Sequence, residues 1–457
     1  MTEIFSDQSP LPGHDSVSLC STTRGKIVIA YIKRITDTRF VRNVAVVAFG
    51  TAGAQAITMA FAPLITRLYG PENYGIMGTF MAVLAMIAPL AAMGYPIAIV
   101  LPEREGKARA LIRLSLLISA ALSLVSLVAL LLAGKQIASL LNMVQLNEYI
   151  YLLPPAVFLS ACLAVSVQYV VRKKMFAVRA QAAIFQAALV GGLKAGVGMV
   201  APTAAALVAF SALASVFQIG FIATKLKRRG SGSQIFERHS GVIEVARSYR
   251  DFPFYRAPQN FINAISQGLP VVLLASFSGA AAAGFYSLAR TVLMLPVSIM
   301  AKSVAEVFYP HITESFYANQ KQAPLILKAT AGLAAVSVIP FLALFIFGPW
   351  LFGFVFGSDW VAAGEYARWL SIMIFFNFIN KPAVAAAPVL GLQKGLLVYE
   401  VFSTGSKLVA LYFGFVVFQD ALLAIILFSF FGAGAYMVLI FWIVASATRV
   451  DKRRDNA

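Results

Sequence analysis

The chain has 457 residues, of which 60% are apolar and only 12% are charged, and its mean hydropathy is +0.81. A soluble domain carries about twice that charged fraction, so the composition excludes an ordinary soluble enzyme and indicates a membrane protein. The net charge of +18 could suit nucleic acid. However, the basic residues lie mostly in short loops between apolar runs, where they report membrane orientation, and we expect no nucleic-acid partner.

Residues 1–43 are polar and basic, and we predict that they form a cytoplasmic N-terminal tail. No apolar core with a small-residue cleavage site precedes the first span, so no cleaved signal peptide is predicted. Cys20 and Cys162 have neither disulfide nor metal-site spacing. The three histidines lie outside the apolar runs or at their edges. We therefore expect no metal, no other cofactor and no histidine-based catalytic centre.

Apolar stretches of about 20 residues, the length that crosses a bilayer as a helix, predict twelve transmembrane helices and an all-α integral membrane fold. The predicted spans, in chain order, are 44–66, 76–100, 111–133, 150–171, 178–200, 203–224, 254–277, 284–308, 325–347, 366–389, 396–417 and 420–446.

The loops between these spans differ sharply in charge. Of the 37 Lys and Arg residues, 29 lie in the two tails, in the even-numbered loops or within one turn of them, and 3 lie in the odd-numbered loops or within one turn of them. Positive loops stay in the cytoplasm, so we predict that both termini are cytoplasmic (N-in/C-in). The longest inner loop, 225–252, is predicted to be a cytoplasmic linker between an N-terminal six-helix bundle (44–224) and a C-terminal one (253–446), followed by a tail (447–457).

The two halves are weakly similar to each other. Residues 55–58 match residues 263–266 at an offset of 208. Gly70 and Gly75, which flank the turn into the second span, match Gly279 and Gly284 at the turn into the eighth. Chance is one explanation, since small residues abound in membrane helices. The other is a duplication that produced parallel repeats, an arrangement typical of transporters that bind cargo between two bundles.

Five basic residues lie more than one turn inside apolar spans, where each costs about 2.5–3.5 kcal/mol on insertion scales. They are Lys194, Arg290, Lys302, Lys381 and Lys407. Apart from Asp420, the first residue of the last span, the acids within spans are Glu306 and Glu400, both near the inner side. Buried ion pairs are one interpretation, above all for Lys302 with Glu306. The excess of bases favours another, a positively charged cavity that binds an anionic cargo.

A polar stripe follows the seventh span. At 100° per residue, Arg256, Asn260, Asn263 and Gln267 lie within about 60° of one another. Such groups suit sugar hydroxyls and phosphate oxygens, although helix–helix hydrogen bonds would use them equally. Gln55, with Thr51 and Thr58, forms a weaker stripe in the first span, and we expect the two stripes to face each other.

The tenth span contains Pro382 and Pro388, preceded by Asn377 and Asn380. Prolines at these positions predict either a plain kink or a broken helix that exposes backbone groups to cargo.

Three segments resemble a known family. They are FAPLITRLYGPENYGIMGTFMAVLAMIAPLAAMGYPIAIVLPE (61–103), SYRDFPFYRAPQNFINAISQGLPVVLLASFSGAAAAGFYSLARTVLMLPVSIM (248–300) and GPWLFGFVFGSDWVAAGEYARWL (348–370). Together they are similar to the Wzx-type polysaccharide and O-antigen flippases of the multidrug/oligosaccharidyl-lipid/polysaccharide exporter (MOP) superfamily.

This resemblance implies a MATE-like, V-shaped pair of six-helix bundles in the bacterial inner membrane. The implied activity is transport rather than catalysis. The implied cargo is an oligosaccharide linked to undecaprenyl pyrophosphate, flipped outward for O-antigen, capsule or exopolysaccharide synthesis. The implied partners are membrane lipid, a polysaccharide polymerase and a chain-length regulator, with H⁺, Na⁺ or the membrane potential as the driving force.

Three other functions stay open at this point. A cation-coupled drug antiporter of the same fold often uses an acid deep in the first bundle, whereas spans one to six contain no Asp or Glu. A lipid II flippase usually has two further spans. A membrane-embedded polymerase or ligase resembles proteins with a long outer loop that carries Arg and His, and the outer loops here are short.

Overall fold

The computed structural model describes residues 38–140, 147–228, 241–304 and 308–455, which contain no β-strand. The α-helices, in chain order, are α1 (Thr38–Ala91), α2 (Tyr95–Ala98), α3 (Glu105–Leu140), α4 (Leu153–Arg172), α5 (Phe176–Gly198), α6 (Ala204–Arg228), α7 (Val242–Ser248), α8 (Ala257–Ser278), α9 (Ala280–Ser303), α10 (Tyr309–Tyr317), α11 (Gln322–Phe356), α12 (Val361–Ile379), α13 (Lys381–Ala386), α14 (Gln393–Tyr412) and α15 (Ala421–Asp455). Two π-helical segments, Phe252–Arg256 and Phe413–Val417, adjoin α8 and α14.

Among the described residues, eleven helical segments are long and apolar enough to cross a membrane. The first, Phe49–Ala91, has 43 residues, about twice the length that one crossing needs. At Gly70 its backbone leaves the helical region, with φ +70° and ψ 173°, a conformation that glycine adopts at little cost. This turn divides α1 into two limbs, so the all-α membrane fold with about twelve spans is confirmed.

Several boundaries differ from the prediction. The second limb of α1 ends at Ala91 rather than near residue 100, because the chain turns at Gly94 (φ +74°) into the short helix α2. The last helix continues to Asp455, past the predicted end at 446. Asp451 anchors this extension by accepting hydrogen bonds from the backbone N–H of Gln322.

Part of the prediction falls outside the described residues. The first helix already begins at Thr38, within the predicted tail, and residues 1–37 are not described. The same holds for residues 229–240 of the predicted linker. The side chain of Lys302 and the whole of Glu306 also lie outside the described part of the chain, and with them the expected ion pair.

The loops that were predicted to share one side of the membrane meet in the structure. The guanidinium of Arg172, at the end of α4, donates to the carbonyl oxygens of Ile99 and Pro102, and Lys173 forms a 2.6 Å ion pair with Glu105. We call this the basic end of the molecule. These two loops therefore lie at one end of the molecule, whereas the assignment of the basic end to the cytoplasm stays a prediction.

Helix α7, which lies in the predicted linker, packs on the first bundle. Val245 is buried against the cluster that includes Tyr95 and Leu111, and Lys107 pairs with Glu244 at 3.4 Å. The hydroxyl of Tyr95 also donates to the carbonyl of Ala246. These contacts fix the point from which the chain enters the second bundle.

The interface between the bundles is formed mainly by α1, α8 and α9. Small residues allow close approach there, as is common between membrane helices. A Cβ atom on Gly268 would lie 2.8 Å from Cγ of Met86, and one on Gly78 would lie 2.5 Å from Oγ of Ser287. Gly279 has φ +87°, like its repeat counterpart Gly70. We call the end that carries Gly70 and Gly279 the glycine end.

Candidate functional site

A hydrogen-bonded chain of four side chains links three helices of the second bundle. Arg290 on α9 donates from Nη2 to Oε1 of Gln267 at 2.8 Å. Gln267 donates from Nε2 to Oδ1 of Asn263, one turn earlier on α8, at 2.6 Å. Asn263 donates from Nδ2 to Oε1 of Glu400 on α14 at 3.3 Å. The structure thus brings together three of the predicted site residues and adds Glu400, and we call these four residues the relay.

Every hydrogen bond of the relay points the same way. A guanidinium only donates and an ionised carboxylate only accepts, so a positive charge at Arg290 and a negative charge at Glu400 fix both amide orientations. Asn263 and Gln267 are exposed, while Arg290 and Glu400 are half-buried. The amides are therefore accessible to a bound molecule even though the charged groups at the two ends are partly shielded.

Helices α8 and α14 continue this polar contact beyond the relay. The hydroxyl of Thr404 donates to Oγ of Ser266 at 3.1 Å, so side chains of the two helices meet at two successive positions with a nearly constant sequence offset. One turn after Thr404 lies Lys407, whose residue is only 9% exposed. Its ammonium lies 5.8 Å from the ring centroid of Tyr436 on α15, within the range of a cation–π interaction.

Glu400 and Lys407 are seven residues apart on α14, so they lie on the same face of that helix about two turns apart. The relay and Lys407 therefore form one charged region inside the second bundle. It contains two bases and one acid, so it is less positive than the count of bases in the spans predicts.

The other two residues of the predicted stripe stay apart from the relay. Arg256 is exposed at the end of the π-helical segment, and its guanidinium donates to Oε1 of Gln259 at 3.2 Å. Asn260 is half-buried one turn before the relay. Their role in binding stays a prediction.

Lys194 lies in the first bundle, close to the glycine end of α5. Its ammonium is 3.5 Å from Sδ of Met77, and its carbonyl oxygen accepts a hydrogen bond from the hydroxyl of Tyr69. No acidic side chain within the described ranges forms an ion pair with it. Lys194 is thus a second positive position, in the opposite bundle from the relay.

The tenth span is interrupted at Asn380, and the exposure of its backbone groups to cargo stays a prediction. Helix α12 ends at Ile379 and α13 begins at Lys381, with Asn380 in a turn between them. Pro382 has no N–H, so the carbonyl of Phe378 lacks its helical donor. The ammonium of Lys381 donates to Oδ1 of Asn377 at 2.5 Å, and Oδ1 of the buried Asn380 has no hydrogen-bond partner among the described residues.

Gln55 lies at the bundle interface, but its contact differs from the expected one. Its Oε1 accepts a hydrogen bond from the hydroxyl of Ser298 on α9 at 3.2 Å. Thr51 and Thr58 donate to carbonyl groups of their own helix. Among the described hydrogen bonds none joins the first-span stripe to the seventh-span stripe, and Gln55 contacts the eighth span instead.

At the glycine end, polar contacts tie α1 to the second bundle. Arg67 donates to the carbonyl oxygens of Phe354 and Val355 at 2.9 and 3.2 Å. The indole N–H of Trp360 donates to the carbonyl of Thr66 at 3.1 Å. Tyr74 meets the Trp360 ring edge-on at 5.3 Å between centroids. This end of the interface is closed.

Comparison with solved structures shows the fold. A MATE family multidrug resistance transporter of the MOP superfamily matches in its inward-facing conformation with a TM-score of 0.71, at 16% identity over 89% of this chain and 99% of that protein. Its outward-facing counterpart gives 0.61, at 17% identity over 89% and 96% of the two chains. A MOP superfamily transporter from Pyrococcus furiosus gives 0.56, at 15% identity over 89% and 96%. The chain therefore has the fold of the MATE transporters and is a multi-pass membrane protein.

Comparison of sequences shows the family. The family described as polysaccharide biosynthesis protein matches residues 64–365, well over half of the chain, and the chain belongs to this family. The teichuronic acid biosynthesis protein TuaB of Bacillus subtilis (strain 168) is 26% identical over 147 residues, which is 32% of this chain and 30% of that protein. The chain thus matches less than a third of that relative's length. These findings confirm the family resemblance that the three sequence segments carry.

Proposed function

We propose that the chain is a flippase of the bacterial inner membrane that turns lipid-linked oligosaccharide units from the cytoplasmic to the outer leaflet. The carrier lipid in this proposal is undecaprenyl pyrophosphate. The observation that carries it is the charged region of the second bundle, where Arg290 is hydrogen-bonded to the accessible amide of Gln267 and through it to that of Asn263, and Lys407 lies beside Tyr436. The polysaccharide biosynthesis family and the transporter fold of the chain support the proposal.

The chemistry of the region matches both parts of such a cargo. A guanidinium binds phosphate oxygens through charge-assisted, often bidentate hydrogen bonds, and an ammonium binds them as a point charge. Arg290 and Lys407 would serve the pyrophosphate in this way. The amides of Asn263 and Gln267 offer donors and acceptors to sugar hydroxyls. Lys194 and Lys381 add positive positions on other helices.

The interface between the bundles suits alternating access. At the glycine end it is closed by two small clusters, one around Gly75 and Gly284 and one around Arg67 and Trp360. The separation of these contacts would let the bundles rock as two bodies. A cycle of this kind moves cargo without a chemical step, so the proposal makes the chain a transporter and not an enzyme.

The sign of the interior favours this cargo over a cationic drug. Four basic side chains lie within described spans: Lys194, Arg290, Lys381 and Lys407. The acid of the relay is Glu400. Bases buried in a membrane gain most from an anionic ligand. An inside-negative potential would also help to move an anionic cargo outward, by about 2.3 kcal/mol per charge per 100 mV.

The proposal is tested in cells by deletion of the gene. We expect loss of a surface polysaccharide, with its lipid-linked repeat unit retained on the inner leaflet. Wild-type protein should restore export and Arg290→Gln should not. Arg453→Gln, which changes an exposed base at the end of α15, is the matched control and should restore export. Normal export without the protein, or rescue by both variants, would contradict the proposal.

A further inference from the structure

We infer that Glu400 is an internal counter-ion, which neutralises the cargo site while it is empty and gives way to the anionic group of the cargo. The inference rests on the proposed function and deepens it, since it assigns to the same site a residue that sets affinity for pyrophosphate. Glu400 would be a specificity-determining residue that acts through the relay, without touching the cargo itself.

The position of the Glu400 carboxylate links it to both bases of the region. Glu400 terminates the relay that begins at Arg290, and Asn263 and Gln267 carry the connection. Lys407 follows Glu400 by seven residues on α14, so it lies about two turns further along the same face of that helix. One carboxylate is therefore linked to Arg290 through the relay and lies on the same helix face as Lys407.

A cationic site inside the membrane is unfavourable while no cargo is bound. A carrier has to return unloaded, and two uncompensated cations inside a membrane protein are unfavourable because burial removes their hydration. A resident carboxylate reduces this cost during the return. When cargo arrives, its phosphate groups supply the negative charge, and the carboxylate is then in excess.

The connection between Arg290 and Glu400 is indirect, so a bound anion can replace it. Arg290 reaches Glu400 only through two neutral amides, and the bond between Asn263 and Glu400, at 3.3 Å, is the longest of the three. A pyrophosphate would contact the guanidinium directly and in bidentate fashion, which is the stronger arrangement. The accessible Asn263 and Gln267 could then turn their N–H groups from Glu400 and from each other toward the ligand.

The test measures binding of farnesyl pyrophosphate, a soluble pyrophosphate probe, to the purified full-length protein by isothermal titration calorimetry, with farnesol as the probe without phosphate. We expect Glu400→Gln to bind farnesyl pyrophosphate about tenfold more tightly than wild type, a change of one decade in Kd, and farnesol unchanged. Arg290→Gln should weaken pyrophosphate binding. In the Glu400→Gln/Arg290→Gln double variant the gain from Glu400→Gln should shrink, because the two residues act on one site.

Glu365→Gln is the matched control, because Glu365 pairs with Arg368 at 3.2 Å near the glycine end, away from the relay. It should leave the affinity for pyrophosphate unchanged. If Glu400→Gln does not fold, Glu400→Asp serves instead, since the shorter side chain withdraws the carboxylate from Asn263 and should also tighten binding. Unchanged or weaker binding in the folded Glu400 variant, or no binding by any variant, overturns the inference.

The outcome separates the inference from the proposed function. Tighter pyrophosphate binding by Glu400→Gln, together with no oligosaccharide flipping by wild type, would support the counter-ion and contradict the flippase. Flipping by wild type, together with no effect of Glu400 on binding, would contradict the counter-ion alone.

Discussion

Gly75 and Gly284 lie in backbone contact across the interface of the two bundles. A Cβ atom on Gly284 would lie 3.0 Å from the backbone nitrogen of Gly75, and one on Gly75 would lie 2.9 Å from that of Gly284. The two glycines occupy equivalent positions of the sequence repeat. A reciprocal contact of this kind is what a two-fold axis between equivalent surfaces produces, so the contact supports the duplication.

The first prediction concerns this contact. Gly284→Leu should keep the glycine end from closing, because a side chain there meets the carbonyl of Pro71 at 2.3 Å. We expect a cysteine at position 287, one turn further along α9, to react faster with an external thiol reagent, in a background without Cys20 and Cys162. Gly332→Leu, at a position with nothing within 4 Å, is the control. Equal reaction rates in the two variants would argue against closure at this pair.

The second prediction concerns Trp360. Trp360→Phe removes the hydrogen bond to the carbonyl of Thr66 and leaves that carbonyl buried without its donor. A buried group left unpaired costs about 1–3 kcal/mol, so the thermal unfolding midpoint of the purified protein should fall. Trp350→Phe, at a residue that is 67% exposed, should leave the midpoint nearly unchanged. Equal midpoints for the two variants would contradict a stabilising role for this contact.

The third prediction concerns the middle of the relay. Gln267→Met removes the oxygen that accepts a hydrogen bond from Arg290 and the N–H that donates one to Asn263. Because the substitution leaves the Arg290 guanidinium without its hydrogen-bond acceptor, we expect a lower thermal unfolding midpoint. The variant should also fail to restore export in the deletion strain. Gln393→Met, at an exposed glutamine at the start of α14, is the matched control. A relay that stabilises nothing would give the same midpoint for both variants.

The membrane assignment of the fold was predictable because it depends on apolar length alone. The runs before and after Gly70 each suffice for one crossing, so the sequence predicts two spans although the helix α1 runs through both. The turn glycines Gly70 and Gly279 were also recognisable, since both recur in the repeat and both take a positive φ.

The site was predictable only in part. Asn263 and Gln267 are four residues apart, so helical periodicity places them on one face, and the structure joins them. Arg256 belongs to the π-helical segment before α8, where the wider turn departs from that periodicity. This local change is not visible in the amino-acid pattern.

The partners of the stripe could not be predicted. Glu400 lies 137 residues from Asn263, and the side-chain contact between α8 and α14 follows from the packing of the whole bundle. The same holds for Tyr436 beside Lys407 and Ser298 beside Gln55. The only sequence signal for Glu400 was its rarity, as one of three acids within the predicted spans.

The fourth prediction concerns orientation. If the basic end faces the cytoplasm, a cysteine in place of Lys227, exposed at the end of α6, should react with a membrane-impermeant thiol reagent only after the cells are permeabilised. A cysteine in place of Val200, which is 87% exposed at the opposite end, should react with the same reagent in intact cells whose outer envelope lets the reagent through. The reverse pattern would invert the predicted topology.

The most direct test of the central claim measures flipping of a lipid-linked oligosaccharide by the protein in proteoliposomes. Loss of one charge-assisted contact costs about 1.5–3 kcal/mol, so Arg290→Gln and Lys407→Met should each lower the flipping rate by about tenfold or more. The controls Arg453→Gln and Lys227→Met change exposed bases and should flip at the wild-type rate. Flipping that is undiminished in Arg290→Gln and Lys407→Met would contradict a cationic cargo site in the second bundle.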